Sequence, residues 1–137
     1  MKRSERALSD AGPLVALFDE EDFANQACRA ALDQFEGQLV ATWPVLTEAF
    51  YFLRSKPGRE RLWDFLSLGV LVLEDVLPSD LARMHWLMTK YADLPMDFAD
   101  ASLVAVAERL RLRKVFTLDH DFRVYRPRHT RAFEVFP

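Results

Sequence analysis

Cysteine, glycine and histidine are scarce in this chain of 137 residues, at one, four and three copies, and each scarcity removes a class of protein. A lone Cys28 makes neither an internal disulfide nor a cysteine-based zinc cage, so nothing requires an oxidising compartment and Cys28 reads as core. His85, His120 and His129 share no ligand spacing, which excludes a histidine zinc site. His85, between Met84 and Trp86 on a helical stretch, reads as packing, and His120 as an exposed loop residue. No apolar run approaches the ~20 residues that span a bilayer, and Met1-Lys2-Arg3-Ser4-Glu5-Arg6 leads into no secretory hydrophobic segment. The expectation is therefore a cytoplasmic protein without a membrane partner. No repeat, linker or low-complexity tract is present. With 50% hydrophobic and 28% charged residues, the length predicts one globular domain over residues 1–137.

A formal charge of -3 excludes an evenly basic nucleic-acid binder. Cations nevertheless crowd one stretch: Arg109, Arg111, Arg113, Lys114, Arg123, Arg126, Arg128 and Arg131. That stretch either meets phosphates or is a solvated surface.

Periodicity predicts strands alternating with helices. Ala7-Leu8 is a short strand ending at Ser9-Asp10, and Gly12-Pro13 turns the chain into a helix with Leu14, Val15, Leu17 and Phe18. A helix from Asp22 to Phe35, with Phe23 on its apolar face, stops at Gly37 and is followed by a strand at Gln38–Ala41. Pro44–Arg54 is helical, Pro57-Gly58 breaks it, and a further helix ends at Gly69 before the strand Val70–Leu73. Ser79 or Asp80 caps the next helix, and Pro95 separates it from an almost wholly apolar helix from Asp97 to Leu112. Strands at Val115–Leu118 and Ala132–Phe136 close the pattern. This order predicts an α/β fold: a mainly parallel central sheet of four to five strands flanked by helices, with ligands at the carboxyl ends of the strands.

The acids then become informative. Glu48 has Pro44, Val45, Tyr51 and Phe52 as its helical neighbours, which predicts an inward-facing carboxylate that needs an arginine, a hydrogen-bond network or a metal. Asp10 and Asp119 each follow a predicted strand, which is a turn position but also the rim where a parallel sheet gathers distant residues. Asp97 reads as the cap of the last long helix, whereas Asp100 enters a helix that must be buried on most sides. Four acids meeting on one rim repel one another unless cations hold them, and an all-oxygen set suits Mg²⁺ or Mn²⁺. Phosphodiester hydrolysis is the chemistry that most often uses such ions. Arg123 and Arg126 follow the last acidic motif closely and are candidate phosphate contacts. Trp43, Trp63 and Trp86 read as core or partner-facing surface, and the helix-borne Phe50, Tyr51 and Phe52 read as core.

Four segments together resemble a PIN domain: Ser9-Asp10-Ala11-Gly12-Pro13-Leu14-Val15-Ala16-Leu17, Val45-Leu46-Thr47-Glu48-Ala49, Asp100-Ala101-Ser102-Leu103-Val104-Ala105 and Thr117-Leu118-Asp119-His120-Asp121-Phe122. The resemblance spans nearly the whole chain. It implies that Asp10, Glu48, Asp100 and Asp119 hold Mg²⁺ or Mn²⁺, with Asp97 and Asp121 as nearby acids. It further implies hydrolysis of single-stranded or loop RNA, leaving a 5′-phosphate and a 3′-hydroxyl. The small format is similar to VapC-type toxins, which implies an antitoxin partner and a homodimer. The chain departs from the pattern in a short, polar first strand, expected to fray, and in Ala11, where a hydroxyl residue is common. A phosphoacceptor receiver domain is disfavoured, because Asp10 has no adjacent acid and Lys114 precedes its strand. A non-catalytic PIN-like binding module is the remaining alternative.

Overall fold

A computed structural model describes residues 5–137; the reading of Met1–Ser4 as no secretory leader lies outside the described residues. Five strands, β1 (Glu5–Ser9), β2 (Gly37–Thr42), β3 (Leu71–Glu74), β4 (Lys114–Phe116) and β5 (Glu134–Phe136), form one wholly parallel sheet in the order β3-β2-β1-β4-β5. The chain winds from β1 outward through β2 to β3, then crosses to the other side for β4 and β5. The switch therefore falls between β1 and β4, where a crevice opens at the carboxyl ends of such sheets.

Far from fraying, β1 is the central strand, with Ala7, Leu8 and Ser9 fully buried. Its charges lie on the exposed Glu5 and Arg6, which pair with Lys114 and Glu74 at 2.7 and 3.6 Å. Gly37 opens β2 rather than stopping a helix, because a Cβ there would overlap the Glu5 carbonyl oxygen of the neighbouring strand.

Six α-helices flank the sheet: α1 (Ala11–Leu17), α2 (Asn25–Gln34), α3 (Trp43–Phe52), α4 (Lys56–Ser67), α5 (Leu81–Lys90) and α6 (Phe98–Leu110). Helix α1 starts at Ala11, one residue before Gly12-Pro13, with Asp10 as its cap, and Asn25 starts α2 late, leaving Phe23 in a loop and 99% exposed rather than on a helix face. Pro57-Gly58 begins a helix rather than breaking one: the Ser55 hydroxyl accepts from the Gly58 amide at 3.1 Å, and proline is tolerated where amides lack helical partners anyway. Gly69, at φ +73°, ends α4 in the left-handed region.

Helix α6 is the centre of the packing. Ala101 through Ala107 are all buried, matching the prediction of apolar residues on all sides, and α6 lies against α3, α5 and β2. It ends at Arg111 in the left-handed conformation, φ +60°. Cys28 is fully buried, whereas His85 is exposed on α5 rather than packed. The basic stretch divides: Arg109 binds Asp80 and the Asp75 carbonyl at 3.3 and 2.7 Å, and Lys114 binds Glu5, so these two are not free for phosphate. No helix among the described residues is long and apolar enough to cross a membrane.

Candidate active site

Topology brings Asp10, Asp100 and Asp119 together from three separate elements. One carboxylate oxygen from each lies within 4.8 Å of the other two. Each acid also caps a helix or turn, which explains its local placement. Asp10 precedes α1 and accepts from the Ala11 amide at 2.9 Å. Asp97 and Asp100 form a capping box on α6: Asp97 accepts from the Asp100 amide at 2.8 Å, and Asp100 accepts from the Asp97 amide at 3.4 Å. Asp119 caps a short 3₁₀ turn, His120–Arg123, by accepting from the Asp121 amide at 2.9 Å. Strand β4 stops at Phe116, so Asp119 sits in a loop three residues past the strand rather than directly at its end.

Glu48 is not one of the three. It sits half-buried in mid-α3, within the field of Asp97 and Asp10. The inward-facing argument from its apolar neighbours fails in detail, because Tyr51 and Phe52 are themselves 72% and 54% exposed. They are not core. Trp43, Trp63 and Trp86 are half-exposed, which selects the surface alternative for all three.

Two residues without an assigned role complete the cluster. The buried Thr117 hydroxyl donates to Asp10 Oδ2 at 2.9 Å and accepts from the Asp119 amide at 2.9 Å, tying two of the acids together. Tyr125, fully buried beneath the 3₁₀ turn, donates its hydroxyl to Asp100 Oδ2 at 3.4 Å. Thr117 lay inside a recognised motif, but its hydroxyl carries no sequence signal. Tyr125 lay in a segment that reads as basic loop.

The electrostatics record a cluster of negative charge without a compensating cation. Burial, and then the charges of Asp10, Asp97 and Asp119, raise the Asp100 carboxyl from 3.8 to about 8. Burial and Asp97 raise Glu48 from 4.5 to about 7. Asp10 is raised by burial, partly offset by the Ala11 amide and the Thr117 hydroxyl. Burial and the neighbouring Asp119 raise Asp121, and burial and Asp100 raise the Tyr125 phenol. Among the described residues, no lysine, arginine or histidine forms an ion pair with Asp10, Glu48, Asp97, Asp100 or Asp119. Arg123, the last residue of the 3₁₀ turn, and Arg126, just beyond it, are exposed, and Arg126 is turned back onto the Arg123 carbonyl at 2.6 Å. A hollow of about 670 Å³ between α2 and β5 contains none of these acids.

An all-oxygen, unneutralised set of this kind fits a hard divalent cation: the donors are carboxylates, and no nitrogen or sulfur ligand competes. A parallel sheet with acids at its switch point defines the class of protein. The match to the PIN domain family covers residues 7–126, and the chain belongs to that family. More particularly, it is 28% identical over 132 residues to ribonuclease VapC26 of Mycobacterium tuberculosis, covering 93% of this chain and 98% of that one. In three dimensions it is similar to M. tuberculosis VapC20, a sarcin-ricin-loop-cleaving toxin (TM-score 0.78, 17% identity, 91% and 98% of the two chains). It is also similar to VapBC2 of Rickettsia felis bound to a promoter DNA fragment (TM-score 0.68, 14% identity, 96% and 99%) and to a toxin–antitoxin complex from Klebsiella pneumoniae (TM-score 0.60, 20% identity, 85% and 89%). These structural likenesses establish the fold.

Proposed function

We propose that this protein is a divalent-metal-dependent endoribonuclease acting on single-stranded or loop RNA, the toxin of a VapBC-type pair. The observation that carries the reading is the convergence of Asp10, Asp100 and Asp119 with no ion-paired cation among the described residues. These three, with Glu48 beside them, are the residues that would hold Mg²⁺ or Mn²⁺. When bound, such an ion lowers the pKa of a water and stabilises charge on the attacking and leaving oxygens of a phosphodiester. The chain supplies the arrangement: Thr117 fixes Asp10 and the Asp119 loop, and the Asp97–Asp100 box fixes the start of α6. Arg123 and Arg126, exposed beside the acids, are the proposed phosphate contacts. The similarity to ribonuclease VapC26 supports the reaction, and the toxin–antitoxin complexes support an antitoxin partner. Exposed Phe23 and Leu68 offer that partner apolar surface. A single cytoplasmic domain working as a homodimer completes the proposal.

The test is 5′-end mapping of total RNA from bacteria expressing either the wild-type chain or Asp100→Asn. New 5′-phosphate ends at a few sites, present only with wild type, are expected. Identical end profiles from two folded proteins would transfer the reading to a non-catalytic binding module.

A further inference from the structure

One helical turn beyond Glu48 lies a surface that the cleavage chemistry does not use. Phe52 follows Glu48 by four residues on α3 and shares its face, with Tyr51 adjoining. The two rings are 5.1 Å apart and crossed at 84°, each more than half in water. From Phe52 the chain leaves α3 through buried Leu53 and presents Arg54 and Lys56, both exposed and neither ion-paired among the described residues. Open aromatic faces beside unpaired cations suit a ligand that is flat and apolar in one part and anionic in another. Unpaired nucleotides have that character: bases stack on rings and phosphates meet cations. A purely apolar partner would use the rings and leave both cations without a role.

We propose that Tyr51, Phe52, Arg54 and Lys56 form a base-stacking subsite for single-stranded RNA leading into the acidic cluster. This rests on the ribonuclease reading above, and it provides what the acids do not, a preference for unpaired bases over phosphodiesters in general. Paired bases expose no face to Tyr51 and Phe52, so duplex RNA gains nothing from the subsite.

The test is fluorescence anisotropy of the full chain in EDTA, which stops turnover. The probes are a labelled single-stranded RNA of about 12 nucleotides and a length-matched abasic ribose-phosphate oligomer. Tyr51→Leu/Phe52→Leu should weaken RNA binding about tenfold or more while leaving the abasic oligomer within about twofold. Arg54→Ala/Lys56→Ala should weaken both probes alike and reduce the salt slope by about 1.4, as two lost phosphate contacts predict. Unchanged melting temperatures, expected for exposed side chains, show that the variants fold. RNA binding by wild type that survives Tyr51→Leu/Phe52→Leu, or an equal loss for both probes, overturns the subsite while the ribonuclease reading stands. No RNA binding by wild type overturns the subsite, and the ribonuclease reading is then decided by the 5′-end mapping alone.

Discussion

Replacing Asp100 by asparagine should make the metal-free protein more stable at pH 8 while abolishing cleavage. Asparagine has the same shape, and its side-chain oxygen can still accept from the Asp97 amide and the Tyr125 hydroxyl. It removes the charge that burial and three neighbouring carboxylates oppose. A carboxyl raised from 3.8 to about 8 binds its proton more tightly in the folded chain than in the unfolded one. Its stabilising contribution is therefore complete below about pH 4 and is lost as pH rises toward 8. In a dry site the full rise would be worth about 6 kcal/mol, and partial exposure to water reduces this to about 2 kcal/mol. Urea unfolding in EDTA at pH 5, 6.5 and 8 measures it. Wild type should lose stability across this range, the variant should lose less because the Asp100 charge is gone, and the two curves should differ most at pH 8. Adding Mn²⁺ should then reverse the order, since ligand bound only by the folded wild type stabilises it by mass action. A variant less stable than wild type at pH 8 without metal would refute the claim that these charges lack a counter-ion.

Three further outcomes test separate links. Thr117→Val keeps the side chain's shape but removes both hydrogen bonds, and should lower Mn²⁺ affinity by 10–100-fold in calorimetric titration; affinity within twofold of wild type would deny Thr117 its positioning role. Gly37→Ala forces a Cβ against the Glu5 carbonyl between two paired strands and should cost about 1–3 kcal/mol in chemical denaturation, with no change in stability counting against the close approach. Arg126→Glu should slow RNA cleavage and flatten its salt dependence, and unaltered values for both would remove Arg126 from the substrate path.

Element order and the parallel sheet were legible because they follow from periodicity, and Asp10 from its place after a strand, whereas Asp100, in the first turn of α6, was joined to Asp10 and Asp119 by the resemblance to a PIN domain. The residues that escaped notice did so for identifiable reasons. Thr117 has the composition of an ordinary strand end, and its function depends on two partners, one of them 107 residues away in sequence. The buried Tyr125 sits among arginines, which give its segment the signature of a solvated loop. Polar Glu5 and Arg6 suggested a weak β1, because a sequence does not show that only the inner part of a central strand enters the core. Tyr51 and Phe52 misled in the opposite sense. Helical spacing groups them with Glu48, but it does not say whether the shared face meets protein or water.

The three converging acids all have a second occupation as caps: Asp10 on α1, Asp100 in the box that opens α6, and Asp119 on its 3₁₀ turn. Folding alone would therefore keep a short capping side chain, aspartate or asparagine, at these positions, even in a descendant that had abandoned hydrolysis. Glu48, in the middle of α3, caps nothing. Among sequences descended from a common ancestor with this protein, position 48 should be the first to drift once the reaction is no longer needed, and its identity is the better marker of which descendants still cut.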